Sequence, residues 1–134
     1  MSDTAGVKFD AGKPPLSLIP KSALDQEALV LGFGAAKYGR NNWRKGIAWS
    51  RLIDATLRHI TAFNEGEDFD PETGLSHLAH ARCGLAFLIE YSETHKELDD
   101  RAKAGDAVHQ LDTPSATSRT APRKNVQPVP KRNG

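Results

Sequence analysis

From Leu52 to Phe63 the apolar residues return every three or four positions, the period of a helix with one buried stripe. At 100° per residue Leu52, Ile53, Thr56, Leu57, Ile60 and Phe63 share an arc. Arg51, Asp54 and Arg58 cluster on the opposite side, and His59 lies at the border. Ser50 is the expected N-cap of this helix. An earlier helix is predicted from Ser22, a capping residue with Asp25 three positions on, to about Tyr38. Gly39 supplies its left-handed C-terminal residue. Gly32 and Gly34 inside it cost roughly 1 kcal/mol each relative to Ala, which implies close helix packing or a local break.

A third helix is predicted to start at Asp70-Pro71-Glu72, where an acid caps, proline takes the first helical position and a second acid favours the dipole. It is expected to continue to about Leu98. Arg82, Glu90 and Glu93, with Ala79 and Ala86 between them, define its outer face. His77, His80, Ala81, Gly84, Phe87, Leu88 and Tyr91 form the inward stripe. Before the helices, Pro14, Pro15 and Pro20 forbid a helix, so residues 1–20 read as an extended arm whose Leu16, Leu18 and Ile19 pack onto the domain. From residue 99 the chain turns polar and loses all periodicity. The fold class is therefore all-α: a small bundle of about three main helices over 21–98, with an extended N-terminal arm and a disordered basic tail over 99–134.

Composition agrees. Only 38% of the 134 residues are apolar, and these concentrate between Leu16 and Tyr91, so the folded part is about 90 residues. Net charge is +1 but unevenly spread. Five basic residues and no acid follow Asp112, leaving 13 basic and 17 acidic residues up to and including it. A mildly acidic domain does not suit a duplex-binding surface, and nucleic acid is not an expected partner. No apolar run approaches the roughly 20 residues needed to span a bilayer, and no signal peptide opens the chain. One cysteine, Cys83, excludes an intramolecular disulfide and suits a reducing, cytoplasmic setting.

The chemistry concentrates at the centre. His77 and His80, three residues apart, share a helical face that points inward beside small Ala81 and Gly84, which leaves room for a ligand. Buried imidazoles need partners: backbone carbonyls if they are core residues, or a carboxylate, metal or phosphate if they form a site. Ahead of them stand Glu65, Glu67, Asp68, Asp70 and Glu72. Hard cations such as Mg²⁺ take oxygen ligands, and capping explains Asp70 and Glu72, so Glu67 and Asp68 are the better metal candidates. Asp54 and Arg58 are either an exposed pair one turn apart, or a central carboxylate and a phosphate-binding cation once another helix or subunit covers them. His59 joins either set. The loop from Lys37 to Gly46 interleaves cations, amides and aromatics. Tyr38 or Trp43 would stack a base, Lys37 or Arg40 reach phosphates and Asn42 read a base edge; otherwise the loop is solvated and Trp43 plugs the core. A phosphate-binding glycine loop, a cysteine–histidine zinc pattern, a nucleophile elbow and a His-Asp dipeptide are all missing.

Five motifs occur together and in order: GKPPLSLIP, KYGRNNW, the Arg58-His59 pair, GEDFDPETGLSHLAHA and FLIEY. Over roughly Val7 to Tyr91 the chain resembles the phage-type dATP/dGTP diphosphohydrolase N-terminal domain family. The resemblance implies hydrolysis of purine deoxynucleoside triphosphates to the monophosphate and pyrophosphate, in phage nucleotide metabolism within the host cytoplasm. Related enzymes look like the all-α MazG-type pyrophosphohydrolases, which use Mg²⁺ or Mn²⁺ and assemble as dimers or larger oligomers. Those carry a Glu-x-x-Glu pair and a Glu-x-x-Asp pair. Here His77-x-x-His80 stands where the second pair would, and the preceding helix offers Asp54 and no glutamate.

The resulting expectation is a divalent-metal-dependent pyrophosphohydrolase working as a homo-oligomer. Asp54, Glu67 and Asp68 hold Mg²⁺ or Mn²⁺; His77, His80 and His59, with Arg58, do the catalytic work. Lys37 and Arg40 offset triphosphate charge, while Tyr38, Asn42 and Trp43 hold the base. The rival expectation is a non-catalytic nucleotide-binding or scaffolding module. A histidine-rich phosphohydrolase acting on a monophosphate is the third.

Overall fold

The computed structural model describes residues 4–105. Three α-helices carry the fold: α1 (Lys21–Tyr38), α2 (Trp49–Asn64) and α3 (His77–Thr94). Short 3₁₀ turns cover Leu16–Leu18, Asn42–Lys45 and Lys96–Leu98. Among the described residues no strand forms, only an isolated bridge between Phe69 and Ser76. The all-α bundle is thus the observed class. No helix among them is long and apolar enough to cross a membrane. The expected disordered tail lies outside the described residues beyond Gly105. Asp99 and Asp100, assigned to that tail, belong to the helical unit, which runs to Asp100. The Asp100 carboxylate accepts the Ser50 backbone N–H at 2.8 Å and the Ser50 hydroxyl at 2.5 Å.

Helix boundaries follow local chemistry that the periodicity did not resolve. α1 begins at Lys21 behind Pro20, one residue before the expected Ser22 cap. Its end is as expected: Gly39, at φ 93°, donates its N–H to the Ala35 carbonyl. α2 begins at Trp49, with Ser50 inside the first turn and held by Asp100 instead of capping. The largest difference is α3, which starts at His77, seven residues after the expected Asp70. Asp70 does cap, but it caps a turn. Its Oδ1 accepts the backbone N–H groups of Glu72 and Thr73 at 2.9 and 3.0 Å. Gly74, at φ 69°, donates to the Asp70 carbonyl at 2.7 Å and closes the loop before a helix can propagate. Ser76 then caps α3, its hydroxyl accepting the Leu78 N–H at 3.1 Å. At the other end α3 stops at Thr94, and Lys96–Leu98 is a separate 3₁₀ turn.

α3 is the central helix, packed against both α1 and α2. The expected outer face is therefore only partly outward. Ala79 is 5% exposed in a cluster with Val30 and Cys83, and Arg82 reaches Glu27 of α1 at 3.2 Å. A second cluster joins Trp49, Leu52 and Tyr91, with Trp43, Ile47, Ile53, Leu88 and Leu98 around it, and Phe87 touches both. Tyr91 is fully buried and donates its hydroxyl to the Trp43 carbonyl. Gly84 sits where α3 meets α2: a Cβ there would collide with the Thr56 hydroxyl and lie 3.9 Å from the Leu52 carbonyl. The space expected for a ligand beside Gly84 is thus filled by α2. Gly32 and Gly34 behave differently, because α1 is unbroken and nothing among the described residues lies within 4 Å of a Cβ at either. The arm also departs from expectation: Leu16 and Leu18 are 70% and 78% exposed in a short 3₁₀ turn, and only Ile19 is half-buried.

Candidate functional site

The C-terminal turn of α2 sets the direction in which the chain leaves the helix. Gly66, at φ 99°, donates to the Phe63 carbonyl while Glu67 donates to the Ala62 carbonyl, both at 3.0 Å. This paired closure is the Schellman arrangement, which needs a residue tolerant of the left-handed region. It sends the chain back along α2 towards the start of α3. The Asp68 carbonyl then accepts the His77 N–H at 3.0 Å, one of the orphan donors of the first turn of α3.

Three imidazoles meet at this junction. His77 is 4% exposed, and its Nδ1 lies 2.8 Å from His59 Nδ1 across the α2–α3 contact. Its other nitrogen, Nε2, lies 2.6 Å from Glu67 Oε1. Because a carboxylate only accepts, Nε2 carries a proton, and in the neutral ring Nδ1 then presents a lone pair. The His59 ring stacks on His80 at 4.5 Å and 8°. His80 Nε2 is 2.7 Å from the Thr73 hydroxyl, which also accepts the Leu75 N–H. Asp70 completes the group. Its Oδ1 is engaged by the turn, while Oδ2 faces His59 Nδ1 at 4.0 Å.

Burial lowers the pKa of His59, and the neighbouring His80, His77 and Arg58 reinforce this against the opposing pull of Asp70. Burial likewise lowers that of His80, with His77 acting in the same sense and Asp70 and Glu72 opposing. Both rings are therefore neutral at pH 7, with lone pairs available. Burial works against the Asp70 carboxylate, but the Thr73 and Glu72 N–H groups outweigh it and hold its pKa below the ordinary range. Two neutral imidazoles, those of His59 and His80, thus lie beside a fixed anion.

The other sequence candidates fall in several places. Glu67 touches the cluster through His77, whereas Asp68 contributes its carbonyl and leaves its side chain exposed. Asp54 and Arg58 sit on α2 about 140° and 100° around from His59. With Leu57, Thr61, Ala62 and Glu65 they line a shallow open groove that no histidine enters. Lys37 reaches Glu72 at 2.7 Å and so ties the end of α1 to the Asp70 turn. Tyr38 and Arg40 are exposed and Asn42 is half-buried. Trp43 turns inward, stacked on Phe87 at 4.5 Å and 12°, with the Arg44 guanidinium 4.6 Å from its ring centre. The structure thus gathers His59, His77, His80 and Glu67 and leaves Asp54, Arg58 and the Lys37–Trp43 residues outside the cluster. Sequence reasoning missed Asp70 and Thr73 as members. Asp-Pro-Glu-Thr-Gly also matches a turn, with Asp first, Pro second and Gly closing, and that was the available signal.

Comparison with known proteins bears on the same stretch. The family model described as dATP/dGTP diphosphohydrolase, N-terminal, matches residues 3–101. A curated relative, the dATP/dGTP diphosphohydrolase of Salmonella phage PMBT28, is 41% identical over 127 residues. That alignment covers 93% of this chain and 40% of the relative. No solved structure matches. The family match takes in all three helices and every residue of the histidine–carboxylate cluster, and this chain belongs to the dATP/dGTP diphosphohydrolase N-terminal family.

Proposed function

We propose that the domain hydrolyses purine deoxynucleoside triphosphates to the monophosphate and pyrophosphate, in phage nucleotide metabolism, with the junction of α2 and α3 as its reacting centre. The observation that carries this reading is the convergence of three histidines and a fixed carboxylate inside the family match. The donor set, two imidazoles and a carboxylate, suits Mn²⁺ better than Mg²⁺, and the divalent ion would be held by His59, His77 and Asp70. When bound, the ion supplies charge neutralisation along the phosphate chain and makes a nearby water more acidic. His80, steadied by Thr73 and stacked on His59, is placed to take the proton of the attacking water. The water oxygen bonds to the α-phosphorus, the bond to the β-phosphate oxygen breaks, and pyrophosphate leaves. Glu67 orients His77. Lys37, Arg40 and Arg58 offset triphosphate charge, and Tyr38 and Asn42 contact the base, with Trp43 supporting their loop from beneath.

Assembly as a homo-oligomer belongs to the same proposal. Leu57, Ile60 and Phe63 on α2 and Leu85 and Ile89 on α3 are large, apolar and exposed. A second copy covering the α2 residues would bring a partner against the Asp54–Arg58 groove, which Leu57 also lines. Incubation with each dNTP plus Mg²⁺ or Mn²⁺, followed by ion-exchange separation, tests the activity. Monophosphate and pyrophosphate, lost in His77→Ala, are the expected products; orthophosphate alone would mean the wrong bond. A second reading, a nucleotide-binding module without turnover, is favoured by one observation: α2 carries no glutamate, and His77-x-x-His80 stands in place of an acidic pair. Saturable dNTP binding with every nucleotide left intact would select it.

A further inference from the structure

We infer that His59 Nδ1, His77 Nδ1 and Asp70 Oδ2 form a mononuclear site for a first-row transition-metal ion of the Mn²⁺-to-Zn²⁺ series, one that discriminates against Mg²⁺. The inference rests on the cluster being the working centre proposed above, but it requires no turnover, so the two readings fail separately.

One ligand atom from each of the three residues lies within 4.8 Å of those of the other two. Ligands bound at about 2.1 Å to one ion are about 3.0–3.4 Å apart in octahedral or tetrahedral geometry. The two imidazole nitrogens are 2.8 Å apart and the carboxylate oxygen is 4.0 Å from His59 Nδ1, so these two spacings need to change by about 0.2 and 0.6 Å. Two of the ligand atoms are presented by a partner that fixes their orientation, whereas His59 Nδ1, which donates to the His77 lone pair without metal, would bind as the other tautomer with its proton on Nε2. Glu67 occupies His77 Nε2 and directs the Nδ1 lone pair inward, the outer arrangement characteristic of metal-bound histidine. The Asp70 turn consumes Oδ1 and leaves Oδ2 as the open oxygen. A chain of histidines merely stabilising the helix contact has no need of Asp70 Oδ2 at the same point.

Donor identity sets the choice of ion. Mg²⁺ favours oxygen ligands and retains several waters, whereas imidazole favours the later first-row ions. Two nitrogens and one oxygen leave further coordination positions open, as in sites that act on substrate. The His77-x-x-His80 pair is unequal in this scheme. His80 Nε2 points to Thr73 and its ring stacks on His59, so it stays the base of the proposed reaction and is not a ligand.

The test uses the untagged 134-residue chain stripped with a chelator. Titration with Co²⁺, followed by visible absorption, is expected to saturate at one ion per chain. Zn²⁺ should bleach that spectrum, while Mg²⁺ in large excess should leave it unchanged. His59→Ala, His77→Ala and Asp70→Asn should each weaken binding about 100-fold, Glu67→Gln about tenfold, and His80→Gln less than about threefold. Circular dichroism and thermal unfolding verify each variant; Asp70→Asn retains the oxygen that holds the turn. Absence of a saturable Co²⁺ or Zn²⁺ signal in folded protein overturns the inference, as does unchanged affinity in His77→Ala or competition by Mg²⁺. Pyrophosphate release that persists without transition-metal binding would sink the site and spare the activity. Stoichiometric binding with intact dNTPs would do the reverse.

Discussion

Asp70 uses its two oxygens for different purposes. One closes a five-residue turn through backbone N–H groups, and the other is left facing the histidines. Asp70→Ala should therefore destabilise the fold by about 1–2 kcal/mol in urea titration, whereas Asp70→Asn, which keeps the accepting oxygen but not its charge, should lose less. Equal losses for the two would mean that charge, not the turn, is what matters. The histidines give a pH signature in the metal-free protein. His59 and His80 accept protons less readily when folded than when unfolded. As pH falls through the unfolded value of 6.5, the unfolded chain binds more protons and stability drops. Asp70 acts in a lower window, its contribution present above the unfolded value of 3.8 and lost as pH falls through its depressed folded value. Calorimetry between about pH 7.5 and 5.5 should show Tm falling with pH, and less so in a His59→Gln/His80→Gln double variant. His77 and His80 are legible in the sequence because a helical spacing of three puts them together. Asp70 is not, because an acid before proline suits a helix start and a turn equally well, and the choice depends on Gly74 four residues later.

At the level of elements, α2 is legible as a helix because its apolar residues fall on one arc, but that arc is not one buried stripe: Leu52 and Thr56 are buried, while Leu57, Ile60 and Phe63 are exposed. α3 is harder because α1 and α2 both pack on it, and a helix contacted on two sides has no single polar face to mark the outside. Ala79 and Arg82 look outward in the sequence for that reason, and Arg82 in fact pairs with Glu27. The α2–α3 contact is closest at Gly84, against Thr56, whose hydroxyl is buried and lacks a hydrogen-bond partner among the described residues. Gly84→Ala should therefore destabilise by about 1–3 kcal/mol through overpacking. Thr56→Val, which keeps the shape and removes the orphan hydroxyl, should be neutral or stabilising by up to about 1 kcal/mol. Chemical denaturation of the two variants measures both effects. A destabilising Thr56→Val would mean that the hydroxyl has a partner after all.

The molecule as a whole leaves much apolar surface uncovered, including Ile89 at 71% exposure and Leu57 at 54%. Gly32 and Gly34, with open space beside them, point the same way. Sedimentation equilibrium should find a dimer or larger species, and Ile89→Glu should shift it towards monomer; a monomer at all concentrations would remove the assembly proposal. The sequence marks residue 99 as the start of the tail because polarity rises there, yet Asp100 reaches back fifty positions to the first turn of α2. Where this unit ends is thus decided by hydrogen bonding rather than by hydrophobicity. Its minimal form has a sharp lower limit on length: a chain stopping at Leu98 loses the anchor of α2 and should melt at a lower temperature than one stopping at Gly105, although the two differ by only seven residues, none of them large and apolar.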